Sequence, residues 1–204
     1  GVIPTGDRIP CCGALHDHAG LMQSAKDISQ KVIRSLSENE LPILVDSAGC
    51  GAALKEYGHL LGTDEANRFS ARVFDIHEWV AEHLDVLQSP AKLPISVIVQ
   101  DPCHLRHVQE SHEAVRLVLE PFVETLIDLN DDGLCCGAGG AFSLFQPALA
   151  SQVRERKAAG IKAQSHDVVA SANPGCMLHL QQVGVNIKHP MEIIDEALSR
   201  GTQI

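Results

Sequence analysis

The sequence predicts an α/β fold made of two pseudo-symmetric, Rossmann-like repeats, each with parallel strands and flanking helices. The first observation is an internal repeat, since the tetrapeptide Cys-Cys-Gly-Ala occurs at residues 11–14 and again at 135–138. The second is the alternation of short β-branched runs with amphipathic segments in the second half of the chain. Strands that alternate with helices pair in parallel, and the helices then cover the sheet.

The repeated segments predict how the chain is divided. Besides the Cys-Cys-Gly-Ala pair, two further pairs of segments match: Gly-Cys at 49–50 and 175–176, and EWVAEHL at 78–84 with EIIDEAL at 192–198. We therefore assign residues 1–90 to a first repeat and residues 91–204 to a second, complete repeat. The offset of 124 residues between the Cys-Cys pairs places the counterpart of Cys103 before Gly1. We expect the chain to begin inside its first repeat, with a further cysteine upstream.

The second repeat shows the strand and helix pattern most clearly. The run from Ile95 to Gln100 is short and rich in β-branched residues, as in a buried strand. Pro147 is predicted near a helix boundary, and Pro190 in the first turn of the closing helix. The predicted strands are 95–100, 123–129, 168–172 and 185–188, and the predicted helices are 104–120, 141–164, 177–183 and 190–200.

Composition excludes several classes of protein. Apolar residues make up 45% and charged residues 21% of the 204 residues, which is ordinary for a globular chain. The net charge of −10 repels a nucleic-acid backbone, and 3% aromatic residues leave few platforms for base stacking. No apolar run approaches the roughly 20 residues of a membrane-spanning helix. We therefore expect neither nucleic-acid binding nor a membrane span in this sequence.

Cysteine is the unusual component of the sequence. The chain has seven cysteines, an odd number, and its length is ordinary for a globular domain. Both facts argue against a disulfide framework. A zinc-stabilised binding module without a redox role is a second alternative, although the usual Cys-x-x-Cys spacing does not occur. Burial as small hydrophobic residues is a third, but it does not explain the repeated pairs. The seven cysteines are Cys11, Cys12, Cys50, Cys103, Cys135, Cys136 and Cys176.

Four cysteines of the second repeat follow predicted strands directly. Cys103 follows the first strand, Cys135 and Cys136 follow the second, and Cys176 follows the third. The carboxyl ends of parallel strands form one edge of a sheet, where sites are commonly built. Four thiolates are the usual ligand set of an iron–sulfur cluster. The sequence therefore predicts a cluster bound by these four residues.

The first repeat contains a smaller set of the same kind. Cys11, Cys12 and Cys50 correspond to Cys135, Cys136 and Cys176. Three thiols leave one metal position without a ligand, so we expect this partial second site to bind a cluster weakly or not at all.

Five segments of the sequence resemble a known family. They are CCGALHDHAG at 11–20, DSAGCG at 46–51, QDPCHLRH at 100–107, LCCGAGGAFSL at 134–144 and NPGCMLHL at 173–180. With these segments the chain is similar to the cysteine-rich CCG domain, which occurs in pairs in subunits of heterodisulfide reductase and of anaerobic glycerol-3-phosphate dehydrogenase, and in lactate-utilisation iron–sulfur proteins. It looks most like the glycolate oxidase iron–sulfur subunits.

The resemblance implies a function. It implies an iron–sulfur electron-transfer subunit of a complex whose FAD-binding subunits oxidise glycolate to glyoxylate. The chain would not be catalytic alone and would pass electrons toward an acceptor such as a quinone. The implied location is cytoplasmic, free or peripherally attached to the inner membrane. Related subunits serving lactate, glycerol 3-phosphate or a heterodisulfide are the alternatives.

Two departures from the family pattern bear on the cofactor. The fullest form of the domain has Cys-x-x-Cys at its last cysteine position, where this sequence has Ser47 and Asn173 in place of the first cysteine. A five-cysteine site for a non-cubane cluster is therefore not expected, and an ordinary [4Fe–4S] cluster suits the four cysteines better. Members also carry a ferredoxin-like part with two more clusters, whose cysteine runs do not occur here.

Polar residues near the cysteines give weaker signals. Histidines flank the cysteine segments and could bind iron or donate hydrogen bonds to a cluster, although most histidines on such helices have neither role. Acidic residues in the turn after the second strand are expected to form a solvated face. The histidines are His16, His18, His104 and His107, and the acidic residues are Asp128, Asp131 and Asp132.

Overall fold

The structure is a computed structural model that describes residues 2–5, 9–87 and 92–201. It divides into two compact units. The first unit comprises Gly1–Val45 and Gly49–Phe74, and the second comprises Asp46–Ala48 and Asp75–Ile204. The predicted boundary between residues 90 and 91 lies outside the described residues, and the two-repeat division stays a prediction.

The first unit is mostly helical. Its core packs Tyr57 against Phe69, whose ring centroids lie 5.6 Å apart, together with Val32 and Leu54. Thr63 begins one helix by accepting a hydrogen bond from the backbone of Ala66 through its hydroxyl group. In this part of the chain the helices are α1 (Ala14–His18), α2 (Met22–Ser35), α3 (Ala48–Lys55), α4 (Tyr57–Leu61) and α5 (Asp64–Ser70), and the paired strands are β1 (Ile43–Val45) and β2 (Val73–Asp75).

The second unit is an α/β layer structure around a parallel sheet of four strands. The strands lie in the order β4-β3-β5-β6, and each neighbouring pair is parallel, as the sequence predicts. The strands are β3 (Leu93–Val99), β4 (Val123–Asp128), β5 (Val168–Ala170) and β6 (Ile187–Lys188). The helices are α6 (Ile76–Glu82), α7 (Glu113–Leu119), α8 (Phe142–Phe145), α9 (Pro147–Lys162), α10 (Pro174–Gln181) and α11 (Pro190–Gly201).

Side chains of the central strand alternate between the two faces of this sheet. Val97 and Val99 pack in one buried cluster with residues of α7 and α11, such as Val118 and Ile194. Ile98 points to the other face and packs in a separate cluster with residues of α9 and α10. This period of two is the geometry of a strand, and it shows that helices cover both faces of the sheet.

The helix predicted over residues 104–120 is wrong as a single element. Residues His104–Val108 form a π-helical turn, and the N–H of Gln109 bonds to the carbonyl of His104, five residues back, at 2.9 Å. Glu110 then takes a left-handed backbone conformation with φ +54°, so the regular helix restarts only at Glu113. The wide turn breaks the periodicity that the sequence pattern follows.

Proline residues mark the other helix boundaries. The helix predicted over 141–164 divides at Pro147, which lacks an N–H group and begins α9. The helix predicted from residue 177 begins earlier, at Pro174. Pro190 begins the closing helix, as predicted.

No helix in residues 2–5, 9–87 and 92–201 has the length and apolar character needed to span a membrane.

Candidate functional site

The loops at one edge of the parallel sheet contain four cysteines. Cys103 follows β3, Cys135 and Cys136 follow β4, and Cys176 lies in the first turn of α10, just after β5. Because these strands run in the same direction, their carboxyl ends deliver all four residues to one edge.

The structure brings the four thiols of this group close together. The Sγ atoms of Cys136 and Cys176 lie 3.0 Å apart. The thiol of Cys135 interacts with those of both Cys103 and Cys136, which links the four into one continuous group. Cys136 and Cys176 are buried, whereas Cys135 is exposed and Cys103 lies between these extremes. We call these four residues the second cysteine group.

A glycine fixes the course of the loop that bears the cysteine pair. Gly137 has φ +88°, and a Cβ atom there would lie 2.6 Å from the carbonyl oxygen of Ala150 on α9. Any larger residue would therefore be strained and would also push the loop away from the helix. The N–H of Gly137 donates a hydrogen bond to the Sγ atom of Cys135 at 3.3 Å. Such donors stabilise negative charge on sulfur.

An ion-pair network holds the segment before Cys103. The buried carboxylate of Asp101 accepts two hydrogen bonds from the guanidinium group of Arg116, at 3.0 and 3.1 Å. Arg106 donates a third at 3.2 Å. A paired carboxylate with bidentate geometry is a rigid anchor, so Cys103 emerges from β3 in a fixed position.

The two residues that stand where the family has cysteine lie next to the thiols. The Nδ2 atom of Asn173 donates to the Sγ atom of Cys176 at 3.4 Å. The hydroxyl group of Ser47 in turn donates to Oδ1 of Asn173 at 3.4 Å. The sequence departs from the cysteine pattern here: Asn173 donates a hydrogen bond to the remaining thiol, and Ser47 bonds to Asn173 rather than to a thiol.

Hydrogen bonds between thiols divide their pKa values into two classes. The pKa values of Cys103 and Cys136 are raised, first by their bonds to neighbouring thiols and then by burial. The pKa values of Cys135 and Cys176 are lowered, because they receive hydrogen bonds from those thiols. The ammonium group of Lys157 lowers both further. The group is therefore suited to holding negative charge on sulfur.

Sequence reasoning missed Lys157, although it is a main electrostatic feature near this group. Its side chain is only 1% exposed and is paired with Asp131, in the loop that leads to Cys135. Asp131 also accepts a hydrogen bond from the N–H of Gly133 at 3.2 Å. The expectation that Asp131 belongs to a solvated face is therefore wrong, since the carboxylate fixes the loop. A long-range ion pair of this kind has no local sequence signal.

The flanking histidines are placed differently from one another. The Nδ1 atom of His104 lies 3.6 Å from the Sγ atom of Cys103, whereas His107 is exposed. In the first unit, His16 is half-buried and His18 is exposed. A buried histidine of α10, His179, was not singled out from the sequence, although it lies three residues after Cys176.

The first unit contains the smaller predicted set. The Sγ atoms of Cys12 and Cys50 lie 3.2 Å apart, while Cys11 is exposed. The bond to Cys50, followed by burial, raises the pKa of Cys12. The hydroxyl group of Tyr57 donates to the carbonyl oxygen of Cys12 at 2.6 Å. We call Cys11, Cys12 and Cys50 the first cysteine group.

The chemistry of the second cysteine group fits a thiolate-bound metal cofactor. It offers four soft sulfur ligands, an amide donor and a buried cation, which suit iron–sulfur clusters and zinc alike. Across the described residues, no three His, Cys, Asp or Glu side chains have the spacing that holds a single metal ion. The thiols contact one another directly, so either cofactor requires the sulfur atoms to separate from their 3.0 Å contact.

Fold and site together define a cysteine-rich α/β protein with thiols collected at the edge of a parallel sheet. A sequence model of the CCG family, described as "Cysteine-rich domain", matches residues 3–55 and 97–181. The chain therefore belongs to this cysteine-rich domain family, as the resemblance predicts.

Three individual relatives show which members of the family this chain is similar to. The chain is 30% identical to the glycolate oxidase iron-sulfur subunit of Escherichia coli strain K12, over 93% of this chain and 49% of the relative. It is 31% identical to the probable glycolate oxidase iron-sulfur subunit of Bacillus subtilis strain 168, over 84% and 40%. It is 26% identical to lactate utilization protein A of Geobacillus thermodenitrificans, over 91% and 82%. The chain thus spans about half or less of the length of the two glycolate oxidase relatives.

Proposed function

We propose that this chain is the iron–sulfur electron-transfer part of a flavoprotein complex that oxidises glycolate to glyoxylate. The observation that carries the proposal is the convergence of four thiols at one sheet edge, with Sγ atoms of Cys136 and Cys176 3.0 Å apart. Similarity to two proteins named as glycolate oxidase iron-sulfur subunits supports the choice of substrate.

The residues of the second cysteine group are the ones that would hold the cofactor. We assign Cys103, Cys135, Cys136 and Cys176 as ligands of a [4Fe–4S] cluster, because four thiolates match its four irons. Such a cluster stores and releases single electrons. The N–H of Gly137 and the amide of Asn173 already donate to ligand sulfurs, and Lys157 adds positive charge close by. These groups stabilise the negative charge that four thiolates bring into a partly buried site.

The number of electrons in each step indicates which steps belong to this chain and which to its partner subunits. Oxidation of glycolate to glyoxylate releases two electrons and two protons. A flavin accepts both electrons together, so we assign substrate oxidation to FAD-binding partner subunits. This chain then relays the electrons one at a time to an acceptor such as a quinone, which takes up two electrons and two protons. In this arrangement the complex works in the cytoplasm, free or peripherally attached to the inner membrane.

The first cysteine group is part of the proposal only as a partial second site. Cys12 and Cys50 are in contact, and Cys11 is adjacent in sequence but exposed. We infer that these three residues, in a first repeat over 1–90, correspond to the ligand set of a second repeat over 91–204. Three thiols support weaker metal binding than four.

A lactate-oxidising complex is the second candidate. The chain covers 82% of the length of lactate utilization protein A, a larger share than for the glycolate oxidase relatives. Its identity to that protein is lower, at 26%. A heterodisulfide-type site is disfavoured, because Asn173 and Ser47 replace the additional cysteines of that pattern.

The decisive experiment combines the full chain with its flavin-bearing partner subunits. Purified alone, the chain should not oxidise glycolate or lactate with an artificial dye as acceptor. In the complex, changing Cys135 and Cys136 together to serine should abolish electron delivery to the natural acceptor while glycolate still reduces the flavin. A Cys11→Ser complex is the matched control and should keep most of the delivery. Glycolate oxidation by the isolated chain, or full delivery by the double variant, would contradict the proposal, and turnover of lactate rather than glycolate would favour the second candidate.

A further inference from the structure

A buried histidine stands beside the second cysteine group with one nitrogen unused. His179 lies on α10, three residues after Cys176, and both side chains are buried, with exposed fractions of 8% and 3%. Residues three apart lie on the same face of a helix, so the imidazole and the thiol share one face. Among the described residues, the Nε2 atom of His179 has no hydrogen-bond partner.

The unused nitrogen lies against the loop that bears the cysteine pair. A Cβ atom placed on Gly137 would lie 3.3 Å from Nε2 of His179. Gly137 directly follows Cys136, and its own N–H donates to the Sγ atom of Cys135. The imidazole therefore packs close to the loop that bears Cys135 and Cys136.

Leaving such a group unpaired is costly in a folded protein. A buried donor or acceptor without a partner loses its hydrogen bonds to water and gains none in return, so such groups usually have a specific reason. The neighbouring thiols already interact with one another, with Asn173 and with Gly137. Nε2 therefore has room for one more partner within this site, and in the tautomer that carries the proton on Nε2 this partner is a hydrogen-bond acceptor.

We propose that His179 is a positioning residue that donates a hydrogen bond from Nε2 to a sulfur of the bound cluster and so sets its reduction potential. This inference rests on the proposed function. Reduction adds a negative charge to the cluster, and a hydrogen-bond donor stabilises the reduced form more than the oxidised form. The donor therefore raises the reduction potential relative to a site without it.

The test measures the potential in variants that remove or replace the donor. His179→Leu removes it, and His179→Gln restores an N–H group on a neutral side chain. His166→Leu is the matched control, because His166 precedes β5 at the opposite end of the strand from the thiols. The full chain is purified anaerobically, its iron is quantified, and the cluster is titrated by electron paramagnetic resonance. The relevant signal is the one that Cys136→Ser abolishes.

The expected result is a lower potential in His179→Leu at near-normal iron content. His179→Gln should recover much of the shift, and His166→Leu should match the unmodified chain. His179→Met is a second donor-free variant if the leucine variant does not fold.

Three results would overturn the inference. An unchanged reduction potential in the donor-free variant at full iron content would contradict the proposed hydrogen bond from His179 to the cluster. The proposed function would remain intact. Loss of iron in both the leucine and the glutamine variants would make His179 a ligand or a structural residue instead. An unmodified chain that binds no cluster would overturn the inference and the proposed function together.

Discussion

The two cysteine groups share a local construction and differ in what surrounds it. In each, a Cys-Cys pair precedes a glycine with a left-handed backbone, φ +81° at Gly13 and φ +88° at Gly137. In each, the second cysteine of the pair contacts a cysteine at the start of a later helix, at 3.2 Å in the first group and 3.0 Å in the second. A short sequence motif is therefore enough to bring two sulfur atoms together.

The residues around the two cysteine groups differ, and the difference accounts for three thiols in the first group and four in the second. The second group gains Cys103 from an additional strand, anchored through Asp101, and has the buried charge of Lys157 nearby. In the first group, Tyr57 bonds to the backbone carbonyl of Cys12, a contact that orients the chain without adding charge. The motif therefore positions two sulfur atoms, whereas the parallel sheet and its ion pairs add a fourth thiol and nearby positive charge.

The largest expected difference between the groups is in iron binding. Cys136→Ser should lose most of the iron, because it removes a buried thiol that we propose as a ligand in the second group. Cys12→Ser makes the same change at the corresponding position of the first group and should leave most of the iron in place. Iron per folded chain, with circular dichroism as the folding control, measures both. Equal losses would contradict the assignment of the main site to the second group.

Removing the buried cation should have the next largest effect. Lys157→Met takes away the charge that offsets thiolates in the second group, and we expect iron affinity to fall about 10- to 100-fold, as for other groups that support metal ligands. The measurement is competition with an iron chelator. Lys162→Met, on the same helix but exposed, is the control and should not change affinity. An unchanged affinity in Lys157→Met would show that the thiols need no nearby cation.

A smaller effect is expected from the support of the first group. Tyr57→Phe removes the hydroxyl group that donates to Cys12 at 2.6 Å and leaves the ring stacked on Phe69. One lost hydrogen bond costs about 1 kcal/mol in the free energy of unfolding. Urea denaturation measures the loss, and iron content should not change. Loss of iron would mean that the first group takes part in cofactor binding.

The smallest expected effect concerns two helix starts that the proposed repeat makes equivalent. Asp75 caps α6 by accepting the N–H of His77 at 3.0 Å, and its own N–H donates to a glutamate three residues later. His189 begins α11 in the same way, with Nδ1 accepting the N–H of Met191 at 3.3 Å and its own N–H donating to Glu192 at 2.7 Å. The same cap thus uses a carboxylate in one place and an imidazole in the other.

Because His189 can titrate near neutral pH, the free energy of unfolding should depend on pH. Burial, followed by the imidazole of His77, lowers the pKa of His189 from its ordinary 6.5, while the carboxylates of Asp46 and Asp75 oppose the shift. The unfolded chain therefore takes up a proton more readily than the folded one. The stabilising contribution is complete above about pH 6.5 and is lost as the pH falls from there toward the folded pKa.

The variant His189→Asn keeps a capping side chain and removes the titration. Urea denaturation between pH 7.5 and 5.5 should show a flatter stability profile for this variant than for the unmodified chain. Identical profiles would show that His189 does not titrate differently in the folded state.

The sequence predicts the positions of the strands and the sheet edge where the four thiols lie, because both follow from local signals. Strand periodicity and proline are local signals, so β3, β4, β5 and the starts of α9 and α11 follow from them. Parallel pairing then sends Cys103, Cys135, Cys136 and Cys176 to one edge.

The residues that support the thiols could not be predicted in the same way. They join residues that are distant in sequence: Lys157 pairs with Asp131, Arg116 pairs with Asp101, and His179 lies close to Gly137. The π-helical turn after Cys103 was missed because the sequence around it keeps an ordinary helical pattern.

The most direct test of the account is the metal content of the anaerobically purified full chain. Iron, acid-labile sulfide and zinc are measured per chain, and the reduced sample is examined by electron paramagnetic resonance. A [4Fe–4S] cluster on the second cysteine group predicts about four irons and four sulfides from that site, with a reduced-cluster signal that Cys176→Ser abolishes and Cys50→Ser retains. Stoichiometric zinc with no iron and no such signal would contradict the account and favour a zinc-stabilised module.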